Sequence, residues 1–168
     1  EAPTSKSVRF KWREHVTKTV SENGEALEKF CNALKDGNSE VVEQSLNNYL
    51  KRTISIRDTF VKKQMKENFY HGILLGILGF QQNWSVSSNK ESGDGYSDIL
   101  IETEDQETGI IIEIKYAETG NLEAVSEEAL KQIEDRRYKE QLLEEGVEHI
   151  LKYGIAFYKK KCKVMAVK

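Results

Sequence analysis

The sequence predicts an α/β fold in which helices come first and a β-hairpin, one more helix and two further strands follow. In the first half of the chain, apolar residues recur at helical intervals, and no strand alternation is evident before about Trp84. In the second half, the β-branched runs 97–102 and 110–116 flank the polar segment 104–109, which ends in glycine and is typical of a hairpin turn. These observations predict a mixed central sheet flanked by helices, with an N-terminal helical extension.

The first fifty residues predict short antiparallel helices at 8–20, 26–34 and 40–51. None of them carries a recognisable chemical motif, so we expect them to supply core packing. We interpret residues 1–56 as a helical extension, or as a linker to a domain further upstream. Residues 57–168 then form the domain that carries the chemistry.

A longer helix is predicted over 58–78, and it carries two side chains of chemical interest. Glu67 and His71 are four residues apart and share one helical face. If that face points toward the hairpin, either residue would add a metal ligand or hold a metal-bound water. The alternative is a local surface pair, since a single histidine on a helix is more often structural. Three glycines lower the propensity of this helix and predict its close approach to the sheet, namely Gly72, Gly76 and Gly79.

The hairpin concentrates charged residues near its open end. Glu113 and Lys115 are two apart on a strand and therefore share a face, with Ile112 and Ile114 on the opposite face. Asp98 opens the preceding strand. Carboxylate oxygens suit Mg²⁺ or Mn²⁺, and a lysine beside them can stabilise an anionic transition state or orient the attacking water. This is the arrangement expected for metal-assisted phosphodiester hydrolysis.

The spacing of these residues also fits a structural interpretation. Glu113 and Lys115 would then form an ion pair on a solvated sheet face, and Asp98 would only begin a strand after a glycine turn. Glu91 and Asp94, in the loop before Asp98, could approach a metal, although acids in a glycine-rich turn are usually only solvated. Spacing alone does not decide between the two interpretations.

The remaining elements complete the predicted sheet. Residues 81–88 predict its first strand, and the charged segment 122–145 predicts a helix that crosses over and packs on the sheet. Two more strands are predicted at 154–158 and 162–167, separated by the lysines of 159–161. The predicted order is therefore helices, three strands, a helix and two strands.

Two tetrapeptides resemble the core motif of a known enzyme superfamily. GYSD at 95–98 and IEIK at 112–115 resemble the Asp…Glu-x-Lys core of the PD-(D/E)XK nuclease superfamily, whose fold is restriction-endonuclease-like. Ser97 stands where the proline of the superfamily's name would be, a departure that the superfamily commonly tolerates.

The wider context resembles one branch of that superfamily, the nuclease-like domain found behind an AAA-type ATPase domain in many bacterial and archaeal proteins. The resemblance extends from about residue 60 to the C-terminus, and several separate motifs carry it in the right order: 67–72, 91–93, 128–133 and 153–158. It implies that 57–168 is the nuclease-like domain and that an ATPase domain lies upstream in the full-length protein. A homodimer is a further implied partner, because members of the superfamily often dimerise to address two strands.

The resemblance implies a metal centre that holds Mg²⁺ or Mn²⁺. Asp98 and Glu113 would hold the ion, and the carbonyl of Ile114, which lies between the two charged residues, would be a third ligand. His71 on the preceding helix would be a further ligand, as the first-helix acid or histidine is in many members.

The same resemblance implies a metal-dependent deoxyribonuclease that hydrolyses phosphodiester bonds of DNA. Lys115 would position or help deprotonate the nucleophilic water and stabilise charge on the scissile phosphate. Glu67 and Gln132 would support the reaction from neighbouring helices. Gln132 resembles the glutamine that follows the Glu-x-Lys lysine in several groups of the superfamily.

The charge balance favours a different class of function. The net charge is −3 and the pI about 5.8, whereas a protein that grips duplex DNA usually presents a basic surface. Positive residues gather in 6–18, 51–66 and 152–168, and acids in 102–148. If the basic segments meet beside the active site, they form a phosphate-binding rim. The alternative is a non-catalytic module that binds nucleic acid or protein for an attached ATPase, but the presence of the whole Asp…Glu-x-Lys set argues against a decayed site.

Composition excludes several other classes. No apolar run is long enough to span a bilayer, and no basic region followed by an apolar stretch opens the chain, so no membrane partner is predicted. Cys31 and Cys162 are far apart and lack metal-ligand spacing, which favours a reducing compartment and a packing role for both. We therefore expect a cytoplasmic protein.

Overall fold

The computed structural model of the chain describes residues 24–54, 63–90, 96–135, 142–144 and 146–168. Inside helices and strands, the side chains of residues 63–64, 89–90, 96–98 and 135 lie outside this description. The helix predicted at 8–20, the loop acids Glu91 and Asp94, and the side chain of Asp98 therefore fall outside the described part of the chain.

The described helices lie where the sequence predicts them, although the helix predicted over 58–78 is described only from Lys63 and the one predicted over 122–145 only as far as Asp135. Their bounds are α1 Gly24–Asp36, α2 Ser39–Thr53, α3 Lys63–Leu78 and α4 Leu122–Asp135. Residue signals set the break between α1 and α2. Gly37 has a φ of 75°, which favours glycine, and the Asn38 side chain accepts a hydrogen bond from the Val41 amide at 3.2 Å as the cap of α2.

Five strands form one mixed sheet, in the spatial order β1-β2-β3-β4-β5. Their bounds are β1 Ser85–Lys90, β2 Tyr96–Glu102, β3 Thr108–Tyr116, β4 His149–Tyr158 and β5 Lys161–Val167. Neighbouring strands are antiparallel except β3 and β4, which are parallel and need the crossover that contains α4. The predicted hairpin, the predicted order of elements and the α/β fold class are confirmed, and the architecture is consistent with a restriction-endonuclease-like fold.

The two faces of β3 bury different cores. Ile110, Ile112 and Ile114 belong to the larger cluster, which includes buried residues of α1, α2 and α3. Ile111 belongs to a smaller cluster with Ile133 of α4. Because side chains alternate along a strand, α4 covers the face that carries the odd-numbered residues of β3. Glu113 and Lys115 are therefore on the α4 face.

Helices α1 and α2 pack directly on the sheet. The Tyr153 hydroxyl of β4 donates to the Leu34 carbonyl of α1 at 2.7 Å. The amide side chain of Asn47 in α2 pairs with the backbone of Cys162, donating at 3.1 Å and accepting at 2.8 Å. The described part of the 1–56 segment thus shares one hydrophobic core with the strands.

The strand β4 begins earlier than predicted. It starts at His149 rather than at 154, and its first half pairs in parallel with β3 from Thr108 onward. Polar residues in the first half of β4 interrupt the apolar pattern by which a strand is recognised in the sequence. Lys152 is buried, and its ammonium group forms an ion pair with the carboxylate of Glu134 on α4. A central strand can hold a lysine because that carboxylate compensates its charge.

Two expectations on composition can be compared with the structure. Both cysteines are buried and free, as their predicted packing role requires, and burial raises the pKa of the Cys31 thiol to about 11. Among the described residues, no helix has the length and apolar character needed to cross a membrane.

Candidate active site

Strands β2 and β3 separate at the point where the predicted acids lie. Their pairing runs from Glu102 opposite Gly109 to Asp98 opposite Glu113. In the described pairings, residues 114–116 have no partner on β2, although β4 continues to pair with them as far as Tyr116 opposite Phe157. Within the described residues, the end of β3 is therefore paired with a strand on one edge only, and the unpaired stretch along its other edge is the gap of the hairpin.

Backbone groups of β3 point into this gap. The Ala117 amide donates to the Phe157 carbonyl of β4 at 2.8 Å, so residues of the opposite parity direct their amide and carbonyl groups away from β4. The carbonyl of Ile114 and the amide of Tyr116 consequently face the gap. This orientation meets the requirement for the predicted backbone ligand, although the ligand role itself stays a prediction.

Glu113 is the most unusual residue of the site. It is 1% exposed, and its Oε2 is the only fully buried side-chain nitrogen or oxygen within the described part of the chain that lacks a hydrogen-bond partner. Burying a carboxylate oxygen with no donor or cation beside it is unfavourable. The interpretation of Glu113 as one half of an ion pair on a solvated sheet face is therefore wrong.

Asp98 lies directly opposite Glu113 in the antiparallel register. Residues opposed in this way share a face of the sheet, with Cα atoms about 4.5–5.5 Å apart in antiparallel pairs generally. The backbone thus places the two predicted acidic ligands at adjacent positions on the α4 face.

Lys115 occupies the same face and pairs with an acid of α4. Its Nζ lies 3.0 Å from Oε1 of Glu128. The lysine side chain is 19% exposed and the glutamate side chain 65% exposed. The ammonium group is thus held near the protein surface, two residues beyond Glu113. Its partner is Glu128, whereas the structural interpretation expected Glu113.

A close contact between α4 and the sheet brings Glu128 to this position. Gly154 of β4 is paired with Glu113, and a Cβ atom added to it would lie 2.3 Å from the carbonyl oxygen of Ser126. Ser126 and Ala129, both small and fully buried, form the facing side of the helix. Gly154 therefore permits the approach that covers Glu113.

The predicted glutamine lies on the same helix. Gln132 is half-buried and follows Glu128 by four residues, so both lie on one side of α4. The next residue, Ile133, packs in the cluster that contains Ile111. Gln132 therefore belongs to the helix that covers the sheet face carrying Glu113.

Glu67 reaches the gap from the other side of the sheet. Its Oε1 accepts a hydrogen bond from the Tyr116 amide at 3.0 Å. The amide of Tyr116 and the carbonyl of Ile114 are neighbours along the same edge of β3. The structure therefore brings Glu67, on α3, to the part of β3 that follows Glu113.

His71 occupies a different environment. It is 4% exposed, and its Nε2 lies 3.1 Å from the Ser88 hydroxyl of β1. Ser88 pairs with Ile99, which belongs to the larger core, so His71 lies on the α3 side of the sheet, opposite to Glu113. His71 is buried, so it does not lie on the protein surface as the structural alternative expected. Its role as a metal ligand stays a prediction.

The sequence interpretation missed two residues that build the site. Glu128 lies in the matching segment 128–133, and its spacing of four from Gln132, which places both on one helical face, is the signal that identifies it. Gly154 had no signal of its own, because the helix that approaches it is distant in sequence. Among the described side chains, no three acids, histidines or cysteines are grouped closely enough to hold a metal ion.

Comparison with known proteins gives one match. A family model described as the PD-(D/E)XK nuclease superfamily matches residues 65–167, which is more than half of the chain and includes all five strands. No curated protein and no solved structure matches the chain.

Proposed function

We propose, from the premise that this chain belongs to the PD-(D/E)XK nuclease superfamily, that it is a metal-dependent nuclease that hydrolyses phosphodiester bonds of DNA. The chemistry takes place at the open end of the β2–β3 hairpin. The full-length protein carries an AAA-type ATPase domain upstream, and that domain directs the nuclease to its target.

The observation that supports this proposal most is the buried oxygen of Glu113 that has no hydrogen-bond partner among the described residues. Folding leaves such an oxygen only where something else compensates its cost, and a cation is the simplest compensating group. The register partner of Glu113 on β2 is a second acid, Asp98. In a purely structural hairpin, two acids at paired positions would repel each other and lower stability.

The residues present fit a hard divalent ion, Mg²⁺ or Mn²⁺. Asp98 and Glu113 would hold it through carboxylate oxygens, and Ile114 would contribute the carbonyl that faces the gap. His71 remains a candidate ligand only if it reaches the ion from the α3 side. When bound, the ion supplies charge neutralisation at the phosphate and a lowered pKa for water.

The remaining polar residues would orient and stabilise the reacting groups. Lys115, held beside Glu113 by Glu128, would place its ammonium group against the scissile phosphate and offset the charge that develops there. Glu67 would hold water through its second oxygen, since its first oxygen accepts from the Tyr116 amide. Gln132 would contribute a neutral donor and acceptor from α4.

A second candidate function is a non-catalytic module that binds nucleic acid or protein for an attached ATPase. The net charge of −3 favours it, because nonspecific DNA binding depends on positive surface charge. In such a module, the lysine of the motif would serve only in its ion pair with Glu128.

The test is a cleavage assay with Mg²⁺ or Mn²⁺ on single-stranded, duplex and branched DNA, with RNA as a comparison. Native protein is compared with Asp98→Ala and Lys115→Ala, and with Lys29→Ala as a control that removes an exposed lysine of α1. We expect both site variants to lose cleavage, while Lys115→Ala still gains thermal stability from Mn²⁺ and Lys29→Ala behaves as native.

Two results would contradict the proposal. Cleavage by Lys115→Ala at the native rate would remove the lysine from the mechanism. A native chain that gains thermal stability from Mn²⁺, yet leaves every substrate intact, would favour the interaction module.

A further inference from the structure

Aromatic rings connect α3 to the ends of β3 and β4 beside the candidate active site. The Tyr70 ring stacks on Phe157 with centroids 4.4 Å apart and on Tyr116 with centroids 6.0 Å apart. Tyr116 in turn contacts Tyr158 at 6.0 Å. The cluster is rigid at its centre, since Tyr70, Tyr116 and Phe157 are almost fully buried.

Two lysines lie over rings of this cluster. Lys66 Nζ is 4.5 Å from the centroid of Tyr116, and Lys159 Nζ is 5.0 Å from the centroid of Tyr158. The ring faces attract the ammonium groups and fix their positions. Because the two rings contact each other, both positive charges lie at one end of the sheet.

These two lysines differ from four other lysines of the described chain in what surrounds their ammonium groups. Lys35, Lys115, Lys152 and Lys163 each pair with a carboxylate. Neither Lys66 nor Lys159 has a carboxylate within 4.0 Å among the described residues. Their positive charge is therefore positioned but not neutralised, which is what an anionic ligand requires.

The backbone at Lys159 gives an independent reason to assign it a role. It lies in the two-residue turn between Tyr158 and Lys161, with a φ of 53°. Glycine, asparagine or aspartate suits that conformation better than lysine. The Tyr70 hydroxyl donates to the Lys159 carbonyl at 2.6 Å and helps to hold the turn. An unfavourable backbone position occupied by lysine indicates that the side chain itself is needed.

The position of the pair relates it to the site. Lys66 precedes Glu67, whose carboxylate binds the Tyr116 amide, and Tyr116 follows Lys115. We infer that Lys66 and Lys159 form a phosphate-binding rim that receives the sugar-phosphate backbone of the nucleic acid strand on the α3 side of the gap. This inference rests on the proposed nuclease function, and it adds which surface holds the substrate.

The chemistry of the rim points to phosphates rather than to bases. A lysine ammonium is a compact point charge that binds phosphate oxygens without reading a base edge. Each phosphate that it neutralises releases counterions, which changes the slope of log K against log salt by about 0.9 for duplex DNA and about 0.7 for a single strand. Two contacts should therefore account for a slope of about 1.8 or about 1.4.

The test measures binding of fluorescein-labelled DNA by fluorescence anisotropy over a range of NaCl concentrations, in EDTA so that no cleavage occurs. Native protein is compared with Lys66→Gln, Lys159→Gln, the double variant and Lys29→Gln as the matched loss of an exposed lysine. We expect each rim variant to reduce the magnitude of the slope by about one contact, the double variant by about two, and the control by none.

Lys159→Gly separates a binding role from a structural one. Glycine relieves the backbone conformation, so the urea midpoint should stay equal or rise, while DNA binding should weaken as it does in Lys159→Gln. A lysine that served only the turn would give native binding in both variants.

Failure of the rim can be distinguished from failure of the nuclease. If the rim variants keep the native salt slope while Lys115→Ala loses cleavage, the substrate lies elsewhere and the nuclease proposal stands. If the native chain neither binds DNA at low salt nor cleaves it, both proposals are wrong.

Discussion

Both ends of the β2–β3 hairpin carry acidic residues, but the hydrogen bonding of these residues differs between the two ends. At the turn, Glu104 and Asp105 are surrounded by donors. At the open end, Glu113 is buried with one oxygen unpartnered within the described part of the chain. Carboxylates of one hairpin thus lie in different environments. The environment indicates which of them have a structural role.

The turn end shows what a structural acid requires. Asp105 Oδ1 accepts from the Thr103 hydroxyl at 2.8 Å and from the Thr108 amide at 2.9 Å. Lys35 lies 2.8 Å from Asp105 and 2.7 Å from Glu104, whose other oxygen accepts from the Trp84 indole. Hydrogen bonds from Lys35 are the largest cause that lowers the pKa of both carboxyl groups.

The contrast shows that the number of hydrogen-bond donors around an acid distinguishes a structural acid from the proposed metal ligand. The mere presence of acidic residues does not. The turn acids complete a network that joins α1 to the hairpin, so their charge is compensated within the fold. Glu113 is more buried than either, yet it receives less compensation from the described residues. In the proposed function, this oxygen is the one that would bind the metal ion.

The largest expected effect comes from Glu113→Gln. It should lower cleavage at least about 100-fold, because even outer partners of metal sites contribute about 10–100-fold. The urea midpoint should stay equal or rise, since a neutral isostere is less costly to bury. Cleavage rates and urea denaturation of the same preparation measure both. A stable Glu113→Gln variant that cleaves at the native rate would show that Glu113, like the acids of the turn, has no role in cleavage.

Glu67 allows a substitution that separates charge from hydrogen bonding. Glu67→Gln keeps an oxygen that can accept from the Tyr116 amide but loses the negative charge. We expect cleavage to fall about 10-fold with little change in thermal stability, while Glu67→Ala loses both. If Glu67→Gln cleaves as native and only Glu67→Ala declines, Glu67 belongs with the structural acids.

A smaller effect is expected from Glu128→Gln. The pair with Lys115 is worth at most about 1 kcal/mol because Glu128 is mostly exposed, which corresponds to about a two- to fivefold loss of cleavage. The loss should appear in kcat rather than in KM if Glu128 only positions the lysine. Glu127→Gln, an exposed neighbour, is the matched control and should cleave at the native rate. Equal losses in both variants would indicate a general effect of charge on α4.

The smallest effect on cleavage is expected from Asp105→Asn, which should leave the rate unchanged and lower stability by about 1–2 kcal/mol through weakened hydrogen bonds at the turn. The folded pKa of Asp105 is lowered, so its charge stabilises the protein above the unfolded pKa of about 3.9, and this contribution is lost as pH falls through the folded pKa. Urea midpoints of the native and Asp105→Asn proteins should therefore converge on acidification below about pH 4. A constant difference would show that charge at Asp105 contributes nothing.

Local pattern predicted much of the fold but misjudged where the backbone is crowded. Gly72 was expected to allow close approach of α3 to the sheet, and this is wrong, because it is exposed and a Cβ there would meet nothing within 4 Å. Gly154, beneath α4, is a glycine at which the backbone is crowded by a neighbouring element. A glycine in a helix can be recognised as costly from the sequence, but the partner that makes another glycine necessary lies some 25 residues away on a separate element.

The sequence by itself determined the order of elements along the chain, the hairpin, and the sharing of one face by Glu113 and Lys115, because these depend on turn chemistry and on the periodicity of helices and strands. Tertiary structure alone decided that Glu113 is buried with one oxygen that no described residue contacts by a hydrogen bond, and that Glu128 and Glu67 reach β3 from opposite faces. Those contacts depend on how closely α3 and α4 pack on the sheet. Packing distance is set by side chains far apart in the chain, and no local pattern encodes it.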